Sequence, residues 1–257
     1  MQLFGGQRTK RLTLTATFGV LYMVLRMIRT FPMIGISGAF FSISDMMAPL
    51  YGIILGPYIG ASSIVLGTFV AIALGRPPVF APFPVDFLPA TMNAMLIGFL
   101  VKRKWVLSAV FYIVPFLLFL AHPYTMLLVP ISNPSSGITY YVPFAWVHCM
   151  ALVALVSPLS RRATDWVTGS SKSQLFLGLA VLSFIGTFAQ HLTGNLLYET
   201  YQAIYLGNPL EALFKWWSLV FWIYPIERTI IVIGAAVFGT ALIRALRAAG
   251  LANFIFT

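Results

Sequence analysis

Long apolar runs with basic residues at their ends constrain this chain more than any other feature. An α-helix needs about 17–25 predominantly apolar residues to cross a bilayer. Counting between breakers gives eight candidate segments, over 12–30, 44–56, 58–75, 86–101, 105–128, 142–160, 174–192 and 225–246. The second and fourth are short: at ~1.5 Å per residue they reach only about 20–24 Å, less than the hydrocarbon core. Neighbouring helices must shield them, or they start partway into the membrane. Hydrophobic residues make up 60% of the chain and charged ones 9%, whereas soluble domains carry about 25% charged residues. The weak alternation of a membrane barrel is missing. The expectation is an all-α integral membrane protein, a polytopic bundle of about 7–8 transmembrane helices, forming a single transmembrane domain over residues 1–257.

A net charge of +10 would point a soluble protein toward nucleic acid, but here the distribution decides the meaning. The basic residues read as topology signals, and no nucleic-acid partner is expected. With a cytoplasmic N-terminus and every segment crossing, the cytoplasmic ends collect Arg8, Lys10, Arg11, Lys102, Arg103, Lys104, Arg161, Arg162, Lys172, Arg244 and Arg247. That is the positive-inside pattern. It places both termini in the cytoplasm and the protein in the cell membrane as a multi-pass chain. Arg26, Arg29, Arg76, Lys215 and Arg228 fall toward the outer side, and so does every acid except Asp165. The first apolar block contains Arg26 and Arg29 and has no clear small-residue cleavage site after it. A retained helix is expected there, not a removed signal peptide. The single cysteine, Cys149, permits no disulfide or cysteine-based metal site within one chain.

Gly56-Pro57 reads as a hairpin turn on the inner side, with Pro57 starting the next helix. The outer connections, 30–43, 76–85, 129–141 and 193–224, are longer and rich in Gly, Pro, Ser and aromatics. Within the last of them, EALFKWWSLVFW reads as an interfacial helix or aromatic belt, and Pro225 as the first residue of the final crossing.

Ionisable residues within a bilayer are costly, and each is a candidate for function. Asp45, Asp86 and Glu227 all stand near expected outer helix starts, where a carboxylate can cap free N–H groups, line a pocket, or do both. Arg26 and Arg29 share a helical face three residues apart. They can snorkel to headgroups, pair with those acids, or clamp an anionic ligand group. Adjacent opposite charges in Glu227-Arg228 point to different sides of a helix, so at least one faces the bundle. His122, His148 and His191 lie in or beside separate apolar segments; they read as buried histidines or ligand contacts, with a three-histidine metal cluster as the lesser alternative. No Gly-rich phosphate loop, recognisable catalytic carboxylate pair or nucleophile elbow occurs. No enzymatic activity, resident metal or cofactor is expected. Small residues mark close helix contacts at Gly60, Ser63 and Gly67, at Ala235/Gly239 and Ala236/Thr240, and at Thr15 and Gly19, the last pair being a candidate partner interface.

The motif SISDMMAPLYGIILGPYIGASSIVLGTFVAIALG, a Pro-rich loop, a helix ending in basic residues, and a final YPIERTIIVIGAAVFGTALIRALR follow one another in order. This arrangement resembles the substrate-binding S components of energy-coupling factor (ECF) vitamin transporters, whose second and third helices form a comparable hairpin with an acid, glycines and LGP. The resemblance covers Phe31–Lys104 and Tyr224–Arg247. The chain departs from the family in two places. S components usually have fewer helices in a shorter chain, whereas an extra hairpin is expected here around 142–192. The family's Ala-xxx-Ala face, which contacts a transmembrane coupling subunit, is here Thr15-xxx-Gly19.

The resemblance implies a membrane subunit that captures a vitamin-like small molecule in an outward-facing pocket. Partner subunits, a transmembrane coupling protein and ATPases, then drive uptake. The candidate ligand contacts are Arg26, Arg29, Asp45, Asp86, His122, Tyr141, Glu227 and Arg228, with the aromatics Phe40, Phe41, Tyr140 and Tyr198 nearby in the outer segments. The alternative is a non-catalytic accessory subunit of a larger membrane complex that reuses this fold, with other membrane subunits as partners.

Overall fold

Helices form over the unbroken apolar runs, and Gly, Pro and basic clusters end them. The computed structural model describes residues 2–133 and 135–250, with side chains from Arg8 onward. Among the described residues there are eight α-helices. In chain order the elements are α1 Gln2–Met27, β1 Arg29–Pro32, β2 Phe40–Ser42, α2 Ser44–Ala73, α3 Phe87–Val101 and α4 Trp105–Ala121. Then come β3 Leu128–Ser132, β4 Thr139–Pro143, α5 Trp146–Val156, α6 Pro158–Thr168, α7 Lys172–Thr200 and α8 Leu210–Ala248. A π-helical turn, Tyr201–Tyr205, continues α7. By length and composition, three helical stretches can cross a membrane: Ser44–Ala73, Lys172–Tyr205 and Leu210–Ala248.

The first of these is folded in the middle. Gly56 adopts φ 75, ψ 176, a backbone region that in practice only glycine occupies. The chain reverses there, and Gly60 lies directly against the carbonyl of Tyr51. The expected turn at Gly56-Pro57 is thus present, and 44–56 and 58–75 are its two arms. The returning arm packs against α1, where Gly67 meets the backbone of Gly19 and Met23 with no room for a side chain.

Elsewhere the expected boundaries move, each for a local reason. Segment 105–128 is helical only to Ala121, because His122 precedes Pro123 and takes the extended φ −71, ψ 130; the proline ring disfavours helical backbone in the residue before it. Segment 142–160 splits at Ser157, which is extended before Pro158 and caps α6 by accepting the Leu159 N–H at 3.2 Å. Short strands accompany the predominantly helical structure. Residues 29–42 and 128–143 form antiparallel hairpins that satisfy their own backbone groups beyond the helix ends.

The last two helices run longer than expected. Segment 174–192 extends to Thr200, and the stretch expected as a separate interfacial helix is the first part of α8. Pro225 therefore sits inside α8, not at its start. An interior proline costs about 3 kcal/mol, and aromatic packing in the turns just before it offsets that cost. Trp217, Phe221 and Tyr224 gather against Phe144, and Trp217 also meets Phe119 edge-on. At about 1.5 Å per residue, the 39 residues of α8 span ~58 Å, longer than a bilayer core of about 30 Å.

Val106, Val110, Val114 and Leu117 on α4 are exposed, as are Ile226, Ile230, Ile233 and Val237 on α8. These are apolar stripes at helical spacing, and they suit contact with lipid. The molecule has two distinct ends. At one, Arg103 pairs with Asp165 at 2.6 Å, and Arg247 donates to the carbonyls of Gly169 and Val167. The other end holds a cavity.

Candidate functional site

The cavity measures about 130 Å³, roughly ten times the ~10–15 Å³ that one water requires. Its wall draws on the end of α1, the β1–β2 hairpin, the start of α2, residues 76–80, the start of α3, the last third of α7 and the first half of α8. Three guanidinium groups (Arg26, Arg76, Arg228) and three carboxylates (Asp45, Asp86, Glu227) line it together with aromatic and aliphatic side chains.

The charges are not equivalent. Arg26 donates through Nη2 to Asp86 Oδ2 at 2.7 Å, and both side chains are buried. The same oxygen accepts the Val79 N–H at 2.9 Å, so one carboxylate joins α1, the 77–80 loop and the start of α3. Asp86 makes no capping bond to α3, so its expected role as a helix cap is not what the structure shows.

Asp45 is engaged through both oxygens. Its Oδ2 accepts the Ser42 N–H at 2.8 Å and the Ser42 hydroxyl at 3.2 Å, and its Oδ1 accepts Gln190 Nε2 at 3.0 Å. Gln190 Oε1 in turn accepts Asn93 Nδ2 at 2.8 Å. A polar chain therefore links α2, α7 and α3 behind the cavity wall. Asp45 reaches back to Ser42 without capping the N–H groups ahead of it. Glu227, for its part, lies within α8 and not at a helix start.

Arg228 differs from both. It is 2% exposed, and its Nε and Nη2 make no hydrogen bond among the described residues. Glu227 Oε2 stands 3.7 Å from Nη2, close enough for attraction but outside bonding range. The guanidinium lies over the ring of Phe41, 4.9 Å from its centroid. Arg76 donates to the Phe40 carbonyl at 3.0 Å, which fastens the β1–β2 hairpin over the cavity. Four further polar atoms on the wall, Arg26 Nε, Asp86 Oδ1, Asn195 Nδ2 and the Tyr198 hydroxyl, are buried without hydrogen-bond partners.

Of the expected ligand contacts, Arg26, Asp45, Asp86, Glu227 and Arg228 meet at this cavity. Arg29, His122 and Tyr141 do not line it. Arg29 is exposed on β1 with its guanidinium 5.1 Å from the Phe40 ring, and Tyr141 is 65% exposed on β4. His122 contacts Glu199 at 3.2 Å and Thr200 at 3.2 Å in a separate cluster. The histidines divide: His148 Nε2 and His191 Nδ1 are 3.0 Å apart in stacked rings, and His191 reaches the cavity. Gly19 is occupied within the chain by Leu66 and Gly67, and Thr15 is half-buried on the same helix.

Sequence reasoning missed Gln190, Asn195, Trp217 and Arg76. A signal for the first two was present. Gln190, His191, Gly194 and Asn195 interrupt an apolar run at spacings that place them along one side of a helix. Trp217 and Arg76 carried no comparable signal, because both stood in segments read as outer connections.

No family model, curated protein or solved structure matches this chain.

Proposed function

We propose that this protein is a membrane-embedded solute-binding subunit of an ECF-type importer, capturing a small vitamin-like molecule for uptake powered by partner subunits. The observation that carries this reading is the cavity itself. It is enclosed by seven separate chain segments at one end of the bundle, and it holds a buried arginine whose donors are unfilled. A pocket with apolar walls and a few converging polar groups is the usual form of a small-molecule site. Arg103, Arg161 and Arg247 stand at the opposite end, against Asp165, Trp105 and the carbonyls of Gly169 and Val167, and in this reading that end faces the cytoplasm. The cavity then opens toward the outside, and the lid is the β1–β2 hairpin. A transmembrane coupling subunit and ATPases are the proposed partners, since the sequence offers no nucleotide-binding motif of its own.

Native mass spectrometry of the protein gently extracted from its own membrane tests the proposal. The expected result is a retained small molecule, with ATPase-sized chains co-extracted. Stable association with other membrane subunits and no retained molecule would overturn it in favour of an accessory subunit.

A further inference from the structure

The buried edge of Arg228 defines the ligand more narrowly. Nε–H and Nη2–H project from the same edge of the guanidinium, the edge that a carboxylate grips with two parallel bonds. Neither makes a hydrogen bond among the described residues, in a side chain that is 2% exposed and lines the cavity, and the ion pair of Nη2 with Glu227 Oε2 is a loose one at 3.7 Å. Buried donors of a charged group are costly to leave unfilled. Phe41 holds the guanidinium plane from one face, and Glu227 stays beyond hydrogen-bond distance. Asp45 is committed to Gln190 and Ser42 and Asp86 Oδ2 to Arg26, which leaves Asp86 Oδ1 as an acceptor without a partner beside the unfilled Nε of Arg26. Asn195 Nδ2 and the Tyr198 hydroxyl add donors on the α7 side. The empty positions are therefore mostly donors, and a complementary ligand brings acceptor oxygens.

We infer that the ligand is a small carboxylic acid, bound as its carboxylate across Nε and Nη2 of Arg228. The inference rests on the reading of the cavity as a solute site. A carboxylate fits better than a neutral carbonyl, because bonds between ionised partners are about twice as strong and the fork matches two oxygens. The volume of about 130 Å³ favours a short acid over a long acyl chain.

The test compares phenylacetate, phenylacetamide, phenethylamine and palmitate at millimolar concentration, reading the shift in thermal unfolding of the full-length protein in nanodiscs. Phenylacetate should stabilise, and the amide and amine should not. Arg228→Gln should weaken the effect on the order of tenfold to a hundredfold. Arg228→Lys keeps the charge but lacks the fork, and it should weaken binding too, which covers the case in which the glutamine variant fails to fold. Glu227→Gln removes a competing carboxylate and should tighten phenylacetate binding; weakening instead would overturn the inference. Equal stabilisation by the amide or the amine, or a response to palmitate alone, would overturn it while leaving the solute-site reading intact. If no probe binds, the inference falls; the solute-site reading falls with it only if native extraction also yields no retained molecule.

Discussion

Arg26 and Asp86 lie 60 positions apart in sequence and meet at 2.7 Å, with both side chains almost entirely buried. The pair closes the cavity end by tying the exit of α1 to the start of α3. Breaking such a pair from one side strands the other charge, at a cost of about 3–5 kcal/mol. Arg26→Met and Asp86→Leu should each destabilise by that order in unfolding from detergent, and the double variant should recover part of the loss. Additive single effects would show that the contact carries no coupling.

The reversal at Gly56 depends on a backbone that a side chain resists. Gly56→Ala should cost about 1–3 kcal/mol, read from the unfolding midpoint. Gly67→Leu places a side chain against the Gly19 carbonyl and Tyr22, and overpacking of this kind costs about 1–3 kcal/mol. Wild-type stability in Gly56→Ala would mean that the turn tolerates another geometry.

The Asn93–Gln190–Asp45 chain links three helices through hydrogen bonds of 2.8 and 3.0 Å. Hydrogen bonds between helices within membranes average about 0.6 kcal/mol and reach ~1.7. A double-mutant cycle with Asn93→Leu and Gln190→Leu should return a coupling in that range. A coupling of zero would remove the chain as a structural tie.

Opposite orientation of the two ends is testable by labelling. Cys149 is the single cysteine, so Cys149→Ala provides a clean background. Ser136→Cys, in the β3–β4 turn, should react with an impermeant reagent added outside intact cells, and Ser170→Cys, between α6 and α7, only after lysis. Labelling of both from one side would overturn the proposed orientation.

Much of the site was legible before the fold was known, because an ionisable residue in an apolar run needs a compensating partner wherever it lands. Arg26, Asp45, Asp86, Glu227 and Arg228 were identified on that ground, and they converge. Arg29 carried the same signal as Arg26 three residues away, yet it lies on β1, because α1 ends at Met27 and the chain leaves the helical register there. His122 and Tyr141 also stand off the cavity wall: His122 ends α4 before Pro123, and Tyr141 lies exposed on β4. The continuous α8 was illegible because Pro225 signals a helix start locally, and only packing by Trp217 and Tyr224, against residues distant in sequence, overrides that signal.

By itself the sequence determined that the chain is apolar enough for a membrane, where it reverses at Gly56, and how its charges divide between two ends. Those properties sum residue by residue, through transfer energies and backbone preferences that need no distant partner. The tertiary structure alone decided which charges are spent on one another and which is left open. How Arg228 stands among the carboxylates depends on how α8 is rotated against α2 and α7, and distant packing contacts set that rotation, leaving Arg26 bonded to Asp86 and the Nε and Nη2 of Arg228 without a hydrogen bond.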